Sequence, residues 1–529
     1  MAAPTNDRTL TLGELLGAAA GGHHATRIAD LVLDSREARP GAAFVAVQGG
    51  REHGLRHAAD AVARGAPVVL FEPPAVGDAV PAVPASRCIA VPDLKRRLGE
   101  LARRLYGPAL GSPALCGVTG TNGKTTVAYL LAQAMTSRGE SCGYVGTLGY
   151  GVPPRLVPHA LTTPDTFTLH RELIALGAPH AALEVSSHAL SQDRIAGLAL
   201  ETAAFTNLTR DHLDEHGDLG AYGRAKASLF GRHGLRRAVL NVADPFGAQL
   251  ARRLPPSVEP IRVACATGAA AEGADLRAEV SARGLAGLEL AIAGRYGQAR
   301  LASPLVGGFN AENLLVALGV LLAWHVPLEE ACAALALAAP PPGRLEVVNA
   351  RREEAGAGRA RSVSAPTGER PALRATAGEP KTPAPWVVVD YAHTPDGLVR
   401  SLDALRAVAA GGELWCVFGC GGDRDRGKRP LMGAAAAARA EHVVVTDDNP
   451  RSEDPHRIVE DVLAGTAAHP HVVVEHDRRR AIEFAVHAAR PGDVVLIAGK
   501  GHETTQLAGG VAAPFDDRAV ARAALGARP

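Results

Sequence analysis

Cys116-Gly117-Val118-Thr119-Gly120-Thr121-Asn122-Gly123-Lys124-Thr125-Thr126-Val127 is the stretch on which the fold of this chain turns. An apolar run, Ala114, Leu115, Cys116 and Val118, leads into a glycine-rich turn closing on Gly123-Lys124-Thr125, and the helix-like Val127-Ala128-Tyr129-Leu130-Leu131 follows. The succession predicts a strand, a phosphate-cradling loop and a helix. Glycines let successive backbone N–H groups converge on an anion, and the helix N-terminus adds positive potential. Lys124 supplies a mobile charge, and the Thr125 hydroxyl can ligate Mg2+. The general Walker pattern wants glycine five residues before Gly123, where this chain has Val118; Gly117 and Gly120 flank that position instead. A nucleoside triphosphate is therefore expected here, held by Gly120, Thr121, Asn122, Gly123, Lys124, Thr125 and Thr126.

Outward from that loop, 529 residues exceed one ordinary core and suggest several domains. The net charge of +1 implies no field for nucleic acid or another polyanion. Seven cysteines, at 88, 116, 142, 265, 332, 416 and 420, form no zinc-like pair of CxxC elements and are expected to stay reduced. Residues 1–22 lack a basic region followed by a long apolar run, and no uninterrupted apolar stretch of about 18 residues occurs later. A cytoplasmic protein with no membrane or nucleic-acid partner is expected.

Three α/β domains are predicted. The first, 1–110, alternates short apolar runs (Ala43 to Val47, Val68 to Phe71) with helix-like stretches and ends at Gly107-Pro108 and Gly111-Ser112-Pro113. The second, 111–345, repeats strand and helix through Ala181 to Val185, Thr202 to Thr206 and Ala238 to Val242. That alternation argues for a parallel sheet covered by helices, with ligands at the strand C-termini. The third, 346–529, restarts with strands at 386–390, 415–418, 442–446 and 494–498. Residues 350–385, poor in large aliphatics, read as a disordered insertion.

Glu184 closes an apolar strand before Val185-Ser186-Ser187-His188, and His212 lies in Asn207-Leu208-Thr209-Arg210-Asp211-His212-Leu213-Asp214. A carboxylate and an imidazole arriving beside a triphosphate are candidate Mg2+ ligands, directly or through water. The loop and these two segments together resemble the ATP-dependent Mur ligases. That resemblance implies further roles. Lys226, in Tyr222-Gly223-Arg224-Ala225-Lys226, would be carbamylated, converting an ammonium into an oxygen donor able to join Thr125, Glu184 and His212 around Mg2+. Lys124, Lys226, Glu184 and His212 would form the catalytic set. Asn310 and Arg344 would be ATP contacts, and Asp390 would meet the ribose. As these belong to different domains, ATP is expected in a cleft that closes on binding.

The resemblance is fullest, from about residue 30 to 505, to the family member that adds meso-2,6-diaminopimelate to UDP-N-acetylmuramoyl-L-alanyl-D-glutamate. It implies an N-terminal UDP-binding domain, a central P-loop ATPase domain and a Rossmann-like C-terminal domain. Leu33 and Ser35, with the turn Gly50-Arg51-Glu52, would face the uridine nucleotide. Thr162, Thr163, Ser186, Gln192 and Arg194 would hold the muramoyl dipeptide. Asp448-Asn449-Pro450-Arg451, Arg424, Gly499 and Glu503 would bind diaminopimelate, because guanidinium groups suit the second carboxylate that distinguishes it from lysine. ATP and Mg2+ are the implied cosubstrate and cofactor, and a monomer is expected. A lysine-adding member, a folylpolyglutamate synthase and a nucleotide-binding regulator without ligase activity are the alternatives.

Overall fold

The computed structural model describes residues 9–49, 52–73, 83–209, 216–265, 273–348, 384–409, 411–466 and 469–527. Gly50, Arg51, His212 and all but the last two residues of the predicted insertion lie outside the described residues. By contacts the chain forms two units. One comprises Met1–Glu279, Ile292–Ala299 and Glu312–Ala338, and the other Val280–Ala291, Arg300–Ala311 and Ala339–Pro529.

The N-terminal sheet has four parallel strands side by side in chain order: β1 (Asp30–Val32), β2 (Ala42–Ala46), β3 (Val69–Phe71) and β4 (Cys88–Ala90). Every residue of β2 is buried, since both of its faces are covered, and such strands read as continuous apolar runs. Helix α1 (Leu94–Leu110) lays Leu94, Leu98, Leu101 and Leu105, one helical face, against Leu31, Val45 and Leu70. It stops at Gly111, whose φ of 68° a side chain would disfavour.

The central sheet contains β5 (Ala114–Thr119), β6 (Cys142–Gly146), β7 (Gly149–Val152), β8 (Arg155–Val157), β9 (His180–Glu184), β10 (Leu200–Phe205), β11 (Arg237–Asn241), β12 (Glu259–Ala264), β13 (Leu276–Gly284), β14 (Gly287–Gly294) and β15 (Gly297–Ser303). Their order is β8-β7-β6-β9-β5-β10-β11-β12-β13-β14-β15. Strand β5 lies between β9 and β10, parallel to both, so the loop leaving its C-terminal end is walled by two further strand ends. The sheet is not parallel throughout, as the alternation predicts. β7 pairs antiparallel with both β6 and β8, because the links at 147–148 and 153–154 are far too short for the crossover that parallel pairing needs. The helices used below are α2 (Lys124–Ser137), α3 (Thr166–Leu176), α4 (Ser187–Ser191), α5 (Leu219–Ala227) and α6 (Phe309–Ala323).

The C-terminal sheet orders β16 (Glu346–Val348), β17 (Trp386–Asp390), β18 (Leu414–Phe418), β19 (His442–Val445), β20 (Val472–Val474) and β21 (Val494–Ala498) as β16-β17-β21-β18-β19-β20. All pairings are parallel except β16 with β17. A hairpin of β22 (Thr505–Ala508) and β23 (Val511–Pro514) follows. Val494 to Ala498 are all buried, and helices on both faces complete a doubly wound unit. No helix among the described residues is long and apolar enough to cross a membrane.

Candidate active site

The glycines of the 116–127 stretch are required by contact as well as by conformation. A Cβ on Gly120 would collide with the Thr206 hydroxyl, and one on Gly123, whose φ is 86°, with Oδ1 of Asn313 on α6. Gly123 caps the N-terminus of α2, leaving the first N–H groups of that helix directed at the loop. The end of β10 braces the loop from the side. The Thr121 N–H donates to the Asn207 carbonyl at 2.8 Å, the Asn122 N–H to Asn207 Oδ1 at 3.0 Å, and the Thr206 hydroxyl to the Asn122 carbonyl at 2.6 Å. Asn207 and Asn313 are thus loop-shaping residues that the sequence motif does not reveal, since both come from distant strands or helices.

Lys124 Nζ donates to the carbonyls of Gly120 and Thr121 at 2.9 and 2.8 Å. Lys226, on α5, is buried rather than solvated. Its Nζ reaches the same Gly120 carbonyl at 2.7 Å and lies 4.2 Å from the centre of the Tyr222 ring. Two ammonium groups converge on one oxygen, which is an arrangement like charges resist unless an anion or a chemical change relieves it.

Glu184, at the end of β9, is 1% exposed, and its carboxylate is held by four donors. Oε1 accepts from the Tyr144 hydroxyl at 2.5 Å and the Thr147 N–H at 2.9 Å. Oε2 accepts from the Thr125 hydroxyl at 2.9 Å and the Thr147 hydroxyl at 3.2 Å. A buried acceptor-only group meeting the phosphate-loop hydroxyl suits a hard, oxygen-seeking divalent cation. No cluster of three His, Cys, Asp or Glu side chains able to hold a metal occurs among the described residues.

The expected dipeptide-side residues gather around the same strand end. The Thr163 hydroxyl donates to the Glu184 carbonyl at 2.7 Å and accepts from the Ser186 N–H at 3.2 Å. Arg194 Nη1 donates to the Thr163 carbonyl at 2.9 Å, while its Nε and Nη2 hold Gln192 Oε1 at 3.1 and 2.8 Å. Ser186 caps α4 through Ala189, and the Thr162 and Thr147 hydroxyls are 3.2 Å apart. Leu33 and Ser35 follow β1 instead. That strand is tied to α3 by Arg171, whose Nη1 donates to the Leu31 carbonyl at 2.8 Å and to Asp30 at 3.2 Å.

In the C-terminal unit, Asp390 is braced by the fold, with one donor on each carboxylate oxygen. It accepts from the Leu345 N–H at 3.0 Å and the Ser401 hydroxyl at 2.5 Å. Arg344 lies over the Tyr391 ring, 4.6 Å from its centre. Asn310 donates to the Val306 carbonyl at 2.7 Å. The Asp448-Asn449-Pro450-Arg451 turn is built around Lys500, which is fully buried. Its Nζ donates to Asn449 Oδ1 at 2.9 Å and lies 3.3 Å from Glu503 and 3.5 Å from Asp448. Asn449 Nδ2 donates to Glu503 at 2.9 Å. Arg451 takes a φ of 54°, its backbone pairs with Leu507 and Gly509 of the β22–β23 hairpin, and its Nη1 donates to the Gly422 carbonyl at 2.7 Å. Gly499 packs its Cα beside the Asp448 carboxylate. Arg424 is exposed and makes no hydrogen bond or ion pair among the described residues. Lys500, a buried cation holding three of the expected contacts in place, is the residue the motif leaves out.

A phosphate loop at the centre of a largely parallel sheet, with a buried carboxylate on its helix hydroxyl and a second doubly wound unit, defines a nucleotide-using α/β enzyme. The comparisons with known proteins narrow that class. The family models described as Mur ligase family, catalytic domain, Mur ligase middle domain, and Mur ligase, glutamate ligase domain match residues 27–106, 118–321 and 378–501. A UDP-N-acetylmuramoyl-L-alanyl-D-glutamate--2,6-diaminopimelate ligase of Alkalilimnicola ehrlichii is 45% identical over 94% of this chain and 95% of its own. One of the same name from Pseudomonas aeruginosa is 44% identical over 94% and 95%. A solved structure of that name superposes with a TM-score of 0.66 at 34% identity, covering 98% of this chain and 99% of its own. The MurF ligase of Thermotoga maritima in complex with ADP, 18% identical with a TM-score of 0.58 over 94% and 96%, shares the fold. The chain belongs to the Mur ligase family. It is an ATP-dependent ligase that joins an acid to an amino acid, built from the family's N-terminal, middle and C-terminal domains.

Proposed function

We propose that this chain adds 2,6-diaminopimelate to UDP-N-acetylmuramoyl-L-alanyl-D-glutamate, the reaction for which its relatives are named, with domain limits near residues 110 and 345. A carboxylate is a poor electrophile, because its charge is delocalised and oxide would have to leave. The glutamate side-chain carboxylate therefore first takes the γ-phosphoryl group of ATP. The diaminopimelate amine then attacks the acyl phosphate carbon, loses a proton, and phosphate departs with the C–O bond pair.

In this reading the loop amides and Lys124 hold the phosphates and meet the charge that develops on the transferring group. Thr125, Glu184, His212 and a carbamylated Lys226 would hold Mg2+, which supplies charge neutralisation at the phosphates when bound. Thr162, Thr163, Ser186, Gln192 and Arg194 orient the acceptor, with Leu33 and Ser35 at its uridine end. Asn310, Arg344 and Asp390 are proposed nucleotide contacts. Arg451 and Arg424 take the distal carboxylate of diaminopimelate, and Glu503 its ammonium. We propose that the enzyme acts as a cytoplasmic monomer, where ATP and nucleotide-linked sugars are available.

The observation that supports this reading best is the continuity at Glu184. Its carboxylate receives the phosphate-loop hydroxyl, and its carbonyl receives Thr163 from the acceptor side. Phosphoryl donor and carboxylate acceptor thus have adjoining seats. The test is incubation with ATP, the UDP-dipeptide and either diaminopimelate or lysine, reading product mass and released phosphate. Ligation of diaminopimelate, dependent on all three substrates, is expected. Phosphate release without the amino acid product, or a preference for lysine, would overturn the assignment.

A further inference from the structure

The segment between β8 and α3 carries a partly buried histidine with no part in the reaction described above. His159 Nδ1 lies 3.0 Å from Glu172 Oε1, and its Nε2 lies 2.7 Å from the Gly146 carbonyl oxygen. A carboxylate and a carbonyl both accept, so a ring that bonds both carries a proton on each nitrogen. A neutral imidazole would turn a lone pair toward one of them. Gly146 immediately precedes Thr147, whose N–H and hydroxyl go to Glu184 and whose hydroxyl also meets Thr162. His159 itself stands three residues before Thr162.

We propose that His159, as an imidazolium, is a positioning residue for the acceptor substrate. It clamps the 158–163 segment onto the Gly146-Thr147 turn and so keeps Thr162 and Thr163 in register with Glu184. The inference rests on the reading that these threonines face the acceptor. The groups around the ring are Glu172 from α3, the Gly146 carbonyl at the end of β6, the Tyr150 ring of β7 stacked at 6.3 Å, and the Glu184 carboxylate of β9 farther off. Burial opposes the charge, but Glu172 and the Gly146 carbonyl outweigh it, and the net shift of His159 is upward. The clamp is therefore complete below the ordinary histidine range and is released as pH rises through the elevated value.

The test measures KM for UDP-N-acetylmuramoyl-L-alanyl-D-glutamate from about pH 6 to about pH 9 in the wild type, H159Q and E172Q, with melting temperature at each pH. In the wild type KM should rise on the order of tenfold across the titration, the loss expected of one charge-assisted hydrogen bond, while KM for ATP and diaminopimelate changes less. H159Q should start at the high value and stay flat. E172Q should move the rise to lower pH. The proposal is overturned if H159Q keeps the wild-type KM and its pH dependence, if E172Q leaves the rise where it was, or if the variants only melt earlier. A wild type that ligates with a pH-independent KM defeats this proposal alone. Should the wild type not ligate diaminopimelate, calorimetric binding of the UDP-dipeptide across the same pH range reads the clamp independently.

Discussion

At the scale of single residues, two lysines meet on the Gly120 carbonyl oxygen. Lys124 and Thr125 follow from one loop, whereas the burial of Lys226 against Gly120, 106 residues away, follows from how α5 packs. Because Lys124 and Lys226 share one carbonyl oxygen, Lys226→Ala tests whether the second ammonium is carbamylated. The variant should lose nearly all ligation and recover part of it with added short carboxylates that replace the carbamate oxygens. Electron density showing an unmodified Lys226 in crystals of active enzyme would count against it. Arg451 decides substrate choice. If it pairs with the distal carboxylate of diaminopimelate out of water, Arg451→Ala should weaken productive binding by roughly 2 to 5 kcal/mol, with the ATP and UDP-dipeptide constants little changed. Equal weakening of lysine and diaminopimelate would remove that role.

At the scale of elements, long apolar runs announce buried strands. Predicted strands at 43–47, 181–185, 238–242, 386–390 and 494–498 are found within one residue at either end. The strands missed include short or glycine-containing buried ones, Asp30–Val32 and Cys142–Gly146, as well as half-exposed ones. In β14 only Leu288, Leu290 and Ile292 are buried, every second residue, and Glu289 and the glycines at both ends break up the apolar run. Turns carry a separate prediction. Gly343, at φ 66°, packs on Gly501 so closely that a Cβ would overlap the Gly501 carbonyl carbon, and this brings Arg344 near His502. Burial, then Arg344 and Arg518, push the His502 pKa down to about 4. The folded state keeps His502 neutral while the unfolded chain takes up a proton near the ordinary value of 6.5, so the stability it contributes is complete above that value and shrinks as pH falls toward 4. Melting temperature should therefore fall more steeply in the wild type than in His502→Gln as pH drops from 6.5. Parallel curves would show that His502 is not the group responsible.

At the scale of the whole molecule, the expected ligand contacts divide between the two units. The UDP-dipeptide should slow amide hydrogen exchange around 33–35, 162–163 and 186–194, all in the first unit, and diaminopimelate around 422–424, 448–451 and 499–503, all in the second. Protection by diaminopimelate confined to the first unit would mean its site has been misplaced. What the sequence alone determined about this protein is what neighbouring residues determine together. The phosphate loop, the carboxylate ending its strand, the buried parallel strands and the family all rest on contiguous stretches whose chemistry depends on spacing along the chain. Tertiary structure alone decided that Asn207 and Asn313 shape the loop, that Lys500 carries the turn of Arg451, that Asp390 bonds inward, and that His159 bridges two segments. Each of these is a polar group whose role depends on which donor or acceptor it meets on burial, and that partner is brought to it by packing rather than by sequence neighbours.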